Sequence, residues 1–480
     1  MLEKLPYSHW GGSTAASGGI FWIPNNRHMA AEGLSDSRGE ALAYLRALAQ
    51  DQVDDELIVA YVDHCNEMLA FVEANSELEF QLYRRGQKPF PDYHPEWPGG
   101  KTGGRGIYPK PYKGLQYGMA LTMGLREAIR GRGIPVWYRS PVERLVVDAE
   151  GVITGAQGRK LEAPYSIRAD NGVVLACGGF EWNPTMMRHF LRGPSPINNT
   201  PENANTGDGL LMALSVGADV RNLNAAWGVP IYDLPETSSG LADWFQWRGK
   251  PGAIMVNRYG RRFCNESADY SSTWRSFFAW ENWGATGYAN VPAYTIVDAE
   301  MVERYGFLTA AEGKEDPTLD VLKAPSVPAW IARGDSLAEL AMALEIDPAG
   351  LERTVSEFNR NAAASPPVDP HFHRGESAVD QIAAGDHARE GTACCLAPLQ
   401  EPPFYGARIW PGNCGTCGGP RINQWGQVLN AWGEVIPRLY AAGNVAGVGA
   451  PGPMETGGGG GTIGPALTFG YLAGTHVSAR

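Results

Sequence analysis

Two segments from opposite ends of the chain decide the fold: residues 1–24, MLEKLPYSHWGGSTAASGGIFWIP, and residues 439–474, LYAAGNVAGVGAPGPMETGGGGGTIGPALTFGYLAG. The first predicts the end of a strand, an acidic residue at Glu3, and a Gly/Ser/Thr loop whose backbone N–H groups suit a phosphate. The second predicts a buried strand at Leu439–Ala442, a Gly-Asn turn, a glycine run, and a helix that begins at Gly464-Pro465. We therefore predict that the two ends meet as halves of one nucleotide-binding domain.

One part of that domain is missing from the sequence. A dinucleotide fold places G-x-G-x-x-G after its first strand, and a ribose-binding acid about 20 residues further on. Glu3 fits that acid, but only two residues precede it, and the nearest comparable glycine run, Gly457–Gly461, lies at the other end of the chain. The sequence leaves two alternatives: the protein begins upstream of Met1, or this chain is a truncated product with a damaged cofactor site.

Composition narrows the class of protein. A length of 480 residues predicts two or three domains at about 150 residues each. The net charge of −12 argues against a nucleic-acid partner, and no apolar run approaches the roughly 18 residues of a membrane span. The seven scattered cysteines favour a reducing cytoplasm over a disulfide framework, and Cys414-Gly-Thr-Cys417 lacks the second pair of ligands that a metal site needs. We predict a cytoplasmic protein without a bound metal.

Hydrophobic periodicity predicts the main elements. Two helices are expected over residues 39–78 and another over 114–131, whereas residues 136–158 alternate like a hairpin. The short apolar run 172–179 ends in two glycines, which predicts a buried parallel strand that delivers a tight turn to a ligand. Residues 205–209, Asn-Thr-Gly-Asp-Gly, predict the start of a further helix with side chains suited to its N-cap.

With these motifs the chain resembles the flavoproteins of the fumarate reductase and 3-ketosteroid dehydrogenase group over nearly its whole length. The resemblance implies FAD as cofactor, with a helix N-terminus at Gly464 that would stabilise the negative charge of reduced flavin. It implies these FAD-binding residues: Glu3, Gly11, Gly12, Ser13, Thr14, Ser17, Gly18, Gly19, Val142, Ala176, Gly178, Gly179, Asn205, Thr206, Asp208, Gly443, Asn444, Gly464, Pro465, Ala466 and Leu467. The missing phosphate-binding turn leaves open whether this chain holds FAD.

The implied fold is α/β, and α+β overall. A Rossmann-like, N-terminally truncated FAD-binding domain would comprise residues 1–232 and 418–480, interrupted by an inserted α+β substrate domain at 233–417. Tryptophan and phenylalanine are dense in that insertion. Its aromatic cluster 274–283 has helical spacing, which fits either the core of the insertion or a wall for a flat apolar substrate.

The resemblance also implies catalytic residues. Dehydrogenation beside a ketone needs a base, a site for the ketone oxygen and a hydride acceptor. Tyrosines carry much of this work in 3-ketosteroid dehydrogenases, and Tyr93 and Tyr270 match by motif, the latter as base. The third family tyrosine is absent, because its place falls on Thr456 or Ala450 according to the alignment, so the N–H of Gly460 would supply half of the oxygen site.

The sequence thus predicts an FAD-dependent dehydrogenase that introduces a C=C bond next to the ketone of a steroid-like or other apolar cyclic substrate, with its electron acceptor undetermined. One alternative is a fumarate-reductase-like enoate reductase. Its dicarboxylate clamp would need Arg105, for which the sequence shows no evident partner. The other alternative is a truncated, flavin-free, non-enzymatic remnant.

Overall fold

The computed structural model describes residues 1–191, 193, 204–232, 247–282, 287–307, 330–448 and 458–479. The α-helices of these ranges are α1 (Gly12–Ala15), α2 (Arg27–Ala31), α3 (Arg38–Ala49), α4 (Asp55–Asn75), α5 (Tyr117–Gly131), α6 (Pro184–Phe190), α7 (Asp208–Ser215), α8 (Tyr270–Ser276), α9 (Ala299–Tyr305), α10 (Leu337–Leu344), α11 (Pro348–Ala362) and α12 (Ile463–Ser478). None of them is both long and apolar enough to cross a bilayer.

The strands of the same ranges are β1 (Phe21–Trp22), β2 (Phe80–Leu82), β3 (Arg84–Arg85), β4 (Lys88–Pro89), β5 (Gly106–Pro109), β6 (Val142–Val147), β7 (Ile153–Lys160), β8 (Ala163–Arg168), β9 (Val173–Leu175), β10 (Val220–Arg221), β11 (Ala226–Tyr232), β12 (Ala253–Val256), β13 (Trp280–Glu281), β14 (Gly287–Tyr288), β15 (Ala293–Val297), β16 (Ile331–Gly334), β17 (Phe404–Thr416), β18 (Gly419–Pro420), β19 (Gln427–Leu429) and β20 (Val435–Ala441). They show a mixed fold of helices and sheets.

Four sheets position the candidate site. The largest is antiparallel, in the order β11-β17-β15-β12, and β16 also pairs with β17. A second sheet, β19-β20-β9, contains the parallel pair β20/β9 and joins the end of the chain to its first half. The other two are β1-β5-β2 and β6-β7-β8. Strand β17 therefore runs from the large sheet to the neighbourhood of β9 and α7.

The buried apolar residues form separate clusters. One draws on both ends of the chain, from Phe21 on β1 to Leu472 on α12. Others lie within residues 229–409, on the two faces of the large sheet. This separation is compatible with a domain inserted into another, whose boundaries stay a prediction.

Local sequence explains the two long helices that cover the first cluster. Ser37 caps α3 by accepting a hydrogen bond from the Glu40 N–H at 3.2 Å, and its hydroxyl donates to the Glu40 carboxylate at 2.9 Å. In α4 the buried positions Leu57, Tyr61 and Cys65 recur every four residues, so one face of the helix enters the core. The predicted helices at 39–78 and 114–131 and the hairpin at 136–158 are confirmed.

Two local predictions are wrong in detail, and a third is only partly described. Strand β9 is parallel as predicted, but it is not fully buried, because the Val174 side chain is 39% exposed. Helix α7 is capped by Gly207 in the left-handed conformation (φ 82°), since the Asn205 side chain is used elsewhere. The aromatic cluster 274–283 is described as far as residue 282: α8 ends at Ser276, Phe277 is buried in the core beside the large sheet, and Trp280 lies 68% exposed on the short hairpin β13–β14.

Candidate active site

A network of polar side chains joins segments that are predicted to bind FAD. The Asn205 Nδ2 donates to Ser13 Oγ at 3.1 Å and to Glu181 Oε1 at 2.6 Å. The Glu181 Oε2 accepts from the backbone N–H and the hydroxyl of Thr416 at 3.2 and 3.3 Å. Glu181 is only 4% exposed, and this burial raises its pKa although the bonds from Asn205 and Thr416 act in the opposite direction. The network is held by neutral donors around one buried carboxyl group.

The predicted glycine pair packs directly on this network. A Cβ at Gly178, which has a φ of 74°, would lie 2.5 Å from Asn205 Oδ1. A Cβ at Gly179 would lie 2.3 Å from Thr416 Oγ1, so neither position admits a side chain. Ala176 is exposed at the carboxyl end of β9, which is where ligands bind in open α/β sheets.

The start of the chain is tied to the first turn of α7. Lys4 Nζ donates to Thr206 Oγ1 and to Asp208 Oδ2, each at 2.7 Å. The predicted ribose acid, Glu3, accepts a hydrogen bond from the Leu5 N–H at 2.8 Å. The structure therefore brings the predicted residues Glu3, Thr206 and Asp208 to one end of the network through Lys4, which the sequence did not single out.

The predicted Gly/Ser/Thr loop folds into α1 and the turn after it, which contain Gly11, Gly12, Ser13, Thr14, Ser17, Gly18 and Gly19. Gly11, Gly12 and Gly19 have positive φ, as predicted. The hydroxyl of Ser17 closes this turn. It donates to the Thr14 carbonyl at 2.7 Å and accepts from the Gly19 N–H at 3.1 Å. Ser13 instead faces Asn205.

The C-terminal half of the predicted site is a turn against a helix N-terminus. Gly443 has a φ of 78°, and a Cβ there would meet only Ala466 Cβ, at 3.6 Å. The predicted residues Gly464, Pro465, Ala466 and Leu467 all belong to the first turns of α12. Asn444 Oδ1 accepts from Trp227 Nε1 at 3.1 Å. Val142 opens β6 and is half-buried against the first core cluster, away from these contacts.

The polar groups of this region fit FAD. Asn413 is fully buried, and its Nδ2 has no acceptor among the described residues. Its Oδ1 accepts from the Gly415 N–H, and a Cβ at Gly415 would lie 3.0 Å from Asn444 Nδ2. The Asn413 Nδ2 is therefore a buried donor without an acceptor among the described residues. It lies on the segment that packs against Asn444, and Asn444 belongs to the turn that faces the N-terminus of α12. Flavin carbonyl oxygens and ring nitrogens are acceptors for such donors.

The two predicted catalytic tyrosines are in contact. Their rings meet edge to face, with centroids 5.7 Å apart and an interplanar angle of 79°. Tyr93 is 7% exposed in a cluster with Phe90 and Val379, and Tyr270 packs against the same cluster. Tyr270 is the first residue of α8, which Asp269 caps by accepting from the Ser271 N–H at 2.9 Å. The fold thus brings into contact two tyrosines that the motifs predicted separately.

The neighbours of the two tyrosines are ionisable side chains. His94 Nε2 lies 3.8 Å from Asp269 Oδ2, so the residues that follow Tyr93 and precede Tyr270 also face each other. Burial raises the pKa of Tyr93 well above its ordinary value, while the charge of Arg248 acts in the opposite direction. At neutral pH Tyr93 is therefore a neutral phenol, which can donate a hydrogen bond but is a poor base.

Arg105, the candidate for a dicarboxylate clamp, is bound to two carboxylates of the protein. Its Nε and Nη2 donate to the two oxygens of Asp36 at 2.8 and 2.7 Å, and its Nη1 donates to Asp92 Oδ2 at 2.8 Å. The Arg105 side chain is 1% exposed. A guanidinium that is buried and shared between two carboxylates has no free edge for a dicarboxylate substrate.

Gly460 lies in a tight turn against β1. Its φ is 99°, its carbonyl accepts from the Trp22 N–H at 3.2 Å, and a Cβ would lie 2.5 Å from the Ile20 carbonyl oxygen. Within the described ranges no acceptor is recorded for its N–H. Thr456 and Ala450, the alternative places of the missing tyrosine, lie outside the described residues.

Sequence reasoning missed the two buried carboxyl groups of the site. Each had a local signal: Glu181 lies two residues beyond Gly179, and Asp92 directly precedes Tyr93. An acidic residue next to a ligand-facing turn, or next to a catalytic residue, is therefore a candidate hydrogen-bond partner for the other residues of the site. Thr416 gave no comparable signal, because its contact with Glu181 depends on the path of β17.

Comparisons with known proteins identify the family. The family model described as FAD binding domain matches residues 3–461. The chain is 35% identical to a 3-oxosteroid 1-dehydrogenase of Mycobacterium tuberculosis (strain ATCC 25618 / H37Rv), over 100% of this chain and 93% of the relative. It is 32% identical to a 4-oxocyclohexanecarboxylate 2-dehydrogenase of Sinomonas cyclohexanicum, over 100% of this chain and 88% of the relative.

A solved structure is similar throughout. The crystal structure of 3-ketosteroid delta1-dehydrogenase from Sterolibacterium denitrificans in complex with 1,4-androstadiene-3,17-dione superposes with a TM-score of 0.87 at 30% identity. The match covers 100% of this chain and 94% of that chain. The similarity thus includes the segments that carry the candidate site.

Proposed function

This chain belongs to the FAD binding domain family, and on that premise we propose that it is an FAD-dependent dehydrogenase of the 3-ketosteroid dehydrogenase type. It would introduce a C=C bond next to the ketone of an apolar cyclic substrate. The observation that carries the proposal is the contact between Tyr93 and Tyr270, which come from different parts of the chain. Two phenols in one apolar cluster suit proton transfer at a carbon next to a ketone.

The two tyrosines take different roles in the proposed reaction. Tyr270, in its ionised phenolate form, takes a proton from the carbon next to the ketone and becomes a neutral phenol. Tyr93, held as a neutral phenol by burial, donates its O–H to the ketone oxygen together with the Gly460 N–H, as negative charge develops there. This assignment gives the oxygen site two donors without the third family tyrosine. When bound, FAD supplies the hydride acceptor, at its N5 atom, for the hydride that leaves the adjacent carbon.

The substrate class follows from chemistry that two relatives share. By their names, one acts on a 3-oxosteroid and another on 4-oxocyclohexanecarboxylate, and both compounds are cyclic ketones. We infer a cyclic ketone for this chain, with a steroid-like one favoured by the higher identity of 35%. A fumarate-type reduction is disfavoured, because Arg105 is paired with Asp36 and Asp92.

The proposal is tested with the protein loaded with FAD and given an artificial electron-accepting dye. A 3-oxosteroid saturated in its ketone ring and 4-oxocyclohexanecarboxylate are supplied separately, and the products are analysed by mass spectrometry. We expect at least one ketone to lose two hydrogens, with matching reduction of the dye. If the FAD-loaded protein leaves both ketones unchanged but reduces fumarate with a reduced dye, the proposal is wrong.

A further inference from the structure

The Asp92 carboxylate joins three segments on the tyrosine side of the candidate site, which is the part that contains Tyr93 and Tyr270. Its Oδ1 accepts from Trp22 Nε1 at 2.7 Å. Its Oδ2 accepts from Arg105 Nη1 at 2.8 Å and from the Lys101 N–H at 2.9 Å. Asp92 is 2% exposed, so each of these bonds lies out of water. Three donors at one buried carboxylate leave it little freedom to move.

Asp92 connects Tyr93 with the turn that contains Gly460. It directly precedes Tyr93, and its backbone forms an antiparallel bridge with Gly458. A Cβ at Gly458 would lie 2.6 Å from Trp22 Cδ1 and 3.4 Å from Asp92 Oδ1, so this turn packs directly on the Trp22–Asp92 pair. The Gly460 carbonyl accepts from the Trp22 N–H. Trp22 and Asp92 therefore link Tyr93 to the turn, through their backbones and through the hydrogen bond between their side chains.

The aromatic rings around Trp22 add stiffness. Its ring stacks on those of Tyr44 and Tyr61, with centroids 5.9 and 6.3 Å away, and the Arg105 guanidinium lies 5.0 Å from its centroid. The Tyr61 hydroxyl donates to the Trp22 carbonyl. Each side of the Trp22 indole is thus occupied, and its Nε1 stays directed at Asp92.

We propose that Asp92 is a positioning residue for the dehydrogenation. It holds Tyr93 and the glycine turn, residues 458–461, in one fixed relation, so that the Tyr93 O–H and the Gly460 N–H address the same ketone oxygen. This inference rests on the proposed function. A hydrogen-bond donor stabilises developing charge only when it is already aimed at it, and a displacement of an ångström has a large effect on rate.

Asp36 provides a matched control. It pairs with the same Arg105 and is as deeply buried, but its remaining hydrogen bonds go to the N–H groups of Asn25 and Ser37. It makes no recorded contact with Tyr93 or the glycine turn. The substitutions Asp92→Asn and Asp36→Asn each replace one carboxyl partner of Arg105 by a neutral amide of nearly the same shape. Only the first disturbs the link to Tyr93 and the turn.

The test compares the two variants in the FAD-loaded protein by hydrogen exchange of the amides in residues 458–461 and by kcat on the ketone that wild type accepts. We expect Asp92→Asn to accelerate exchange in the turn and to lower kcat by about 100-fold. Asp36→Asn should leave the exchange of the turn and kcat close to wild type. Equal changes in both variants on both measurements would assign Asp92 a merely structural role and overturn the inference.

Two further arms keep the inference testable. If Asp92→Asn does not fold, Trp22→Phe removes the Nε1 donor to Asp92 together with part of the indole ring and should still accelerate exchange in the turn; unchanged exchange there would contradict the inference. If wild type converts no ketone, the proposed function fails. The exchange measurement then still decides by itself whether Asp92 holds the turn.

Discussion

Different interactions stabilise the two sides of the candidate site: the FAD side, around Glu181 and Asn205, and the tyrosine side, around Tyr93 and Tyr270. On the FAD side, Glu181 is surrounded by neutral donors from Asn205 and Thr416. On the tyrosine side, Asp92 is bound by the charged Arg105. Burial raises the pKa of both carboxyl groups, that of Asp92 to about 6, but the charge of Arg105 opposes the rise at Asp92, whereas only hydrogen bonds oppose it at Glu181. The first arrangement suits a ligand with many polar atoms, and the second suits a rigid frame for catalysis.

The largest expected effect is on the tyrosine side. Replacement of Tyr270 by Phe removes the proposed base, so we expect kcat on the accepted ketone to fall by about 1,000-fold. The FAD content should not change, because the phenol belongs to the other side of the site. Tyr305→Phe is the control, since it also removes a hydroxyl, one that donates to Asp386 at 2.8 Å. Wild-type turnover in the Tyr270 variant would assign this residue to packing.

The second prediction separates the two tyrosines. Tyr93→Phe removes a donor to the ketone oxygen and should lower kcat by about 100-fold, with a smaller change in KM, since the donor acts mainly on developing charge. Its pKa is raised well above the ordinary value, so the pH dependence of kcat below pH 9 should be the same in variant and wild type. A basic limb of the wild-type profile that disappears in Tyr93→Phe would identify Tyr93 as the base instead.

The third prediction concerns the FAD side. Asn205→Ala removes the bonds to Ser13 and Glu181 and leaves a buried acceptor unpaired, which should cost about 1–3 kcal/mol of unfolding free energy. FAD retention, measured by the ratio of flavin to protein absorbance, should fall as well. Asn359→Ala also loses two hydrogen bonds, both to the Leu399 backbone, and should be destabilised without loss of FAD. Equal FAD loss in both variants would show a general effect of instability.

The smallest expected effect is on the pH dependence of the free energy of unfolding. Burial raises the pKa of Glu181 in the folded protein above its ordinary value of 4.5. The folded state therefore holds this proton after the unfolded state has released it, and the associated stability is complete below pH 4.5 and is lost as the pH rises through the folded pKa. Denaturant unfolding of wild type and Glu181→Gln from pH 4 upwards should show wild type losing stability relative to the variant. A constant difference across that range would mean that Glu181 is ionised in the folded protein.

The sequence predicts much of the FAD side because its signals are local. A positive φ at Gly11, Gly178 or Gly443 requires a residue without a side chain, so the glycines mark the turns directly. The start of α12 and the parallel strand β9 follow from short patterns in the same way. The role of Ser17 stays a prediction, since a hydroxyl in a turn can bond a ligand or its own backbone with equal ease.

The amino-acid sequence by itself determined the family, the order of helices and strands around the site, and the residue types at its turns. Only the tertiary structure decided that Tyr93 meets Tyr270, that Arg105 is shared by Asp36 and Asp92, and that Asn205 bonds Glu181. The physical reason is that helix periodicity and turn geometry depend on neighbouring residues. Contacts between distant side chains, and the pKa shifts that burial causes, depend on how the whole chain packs.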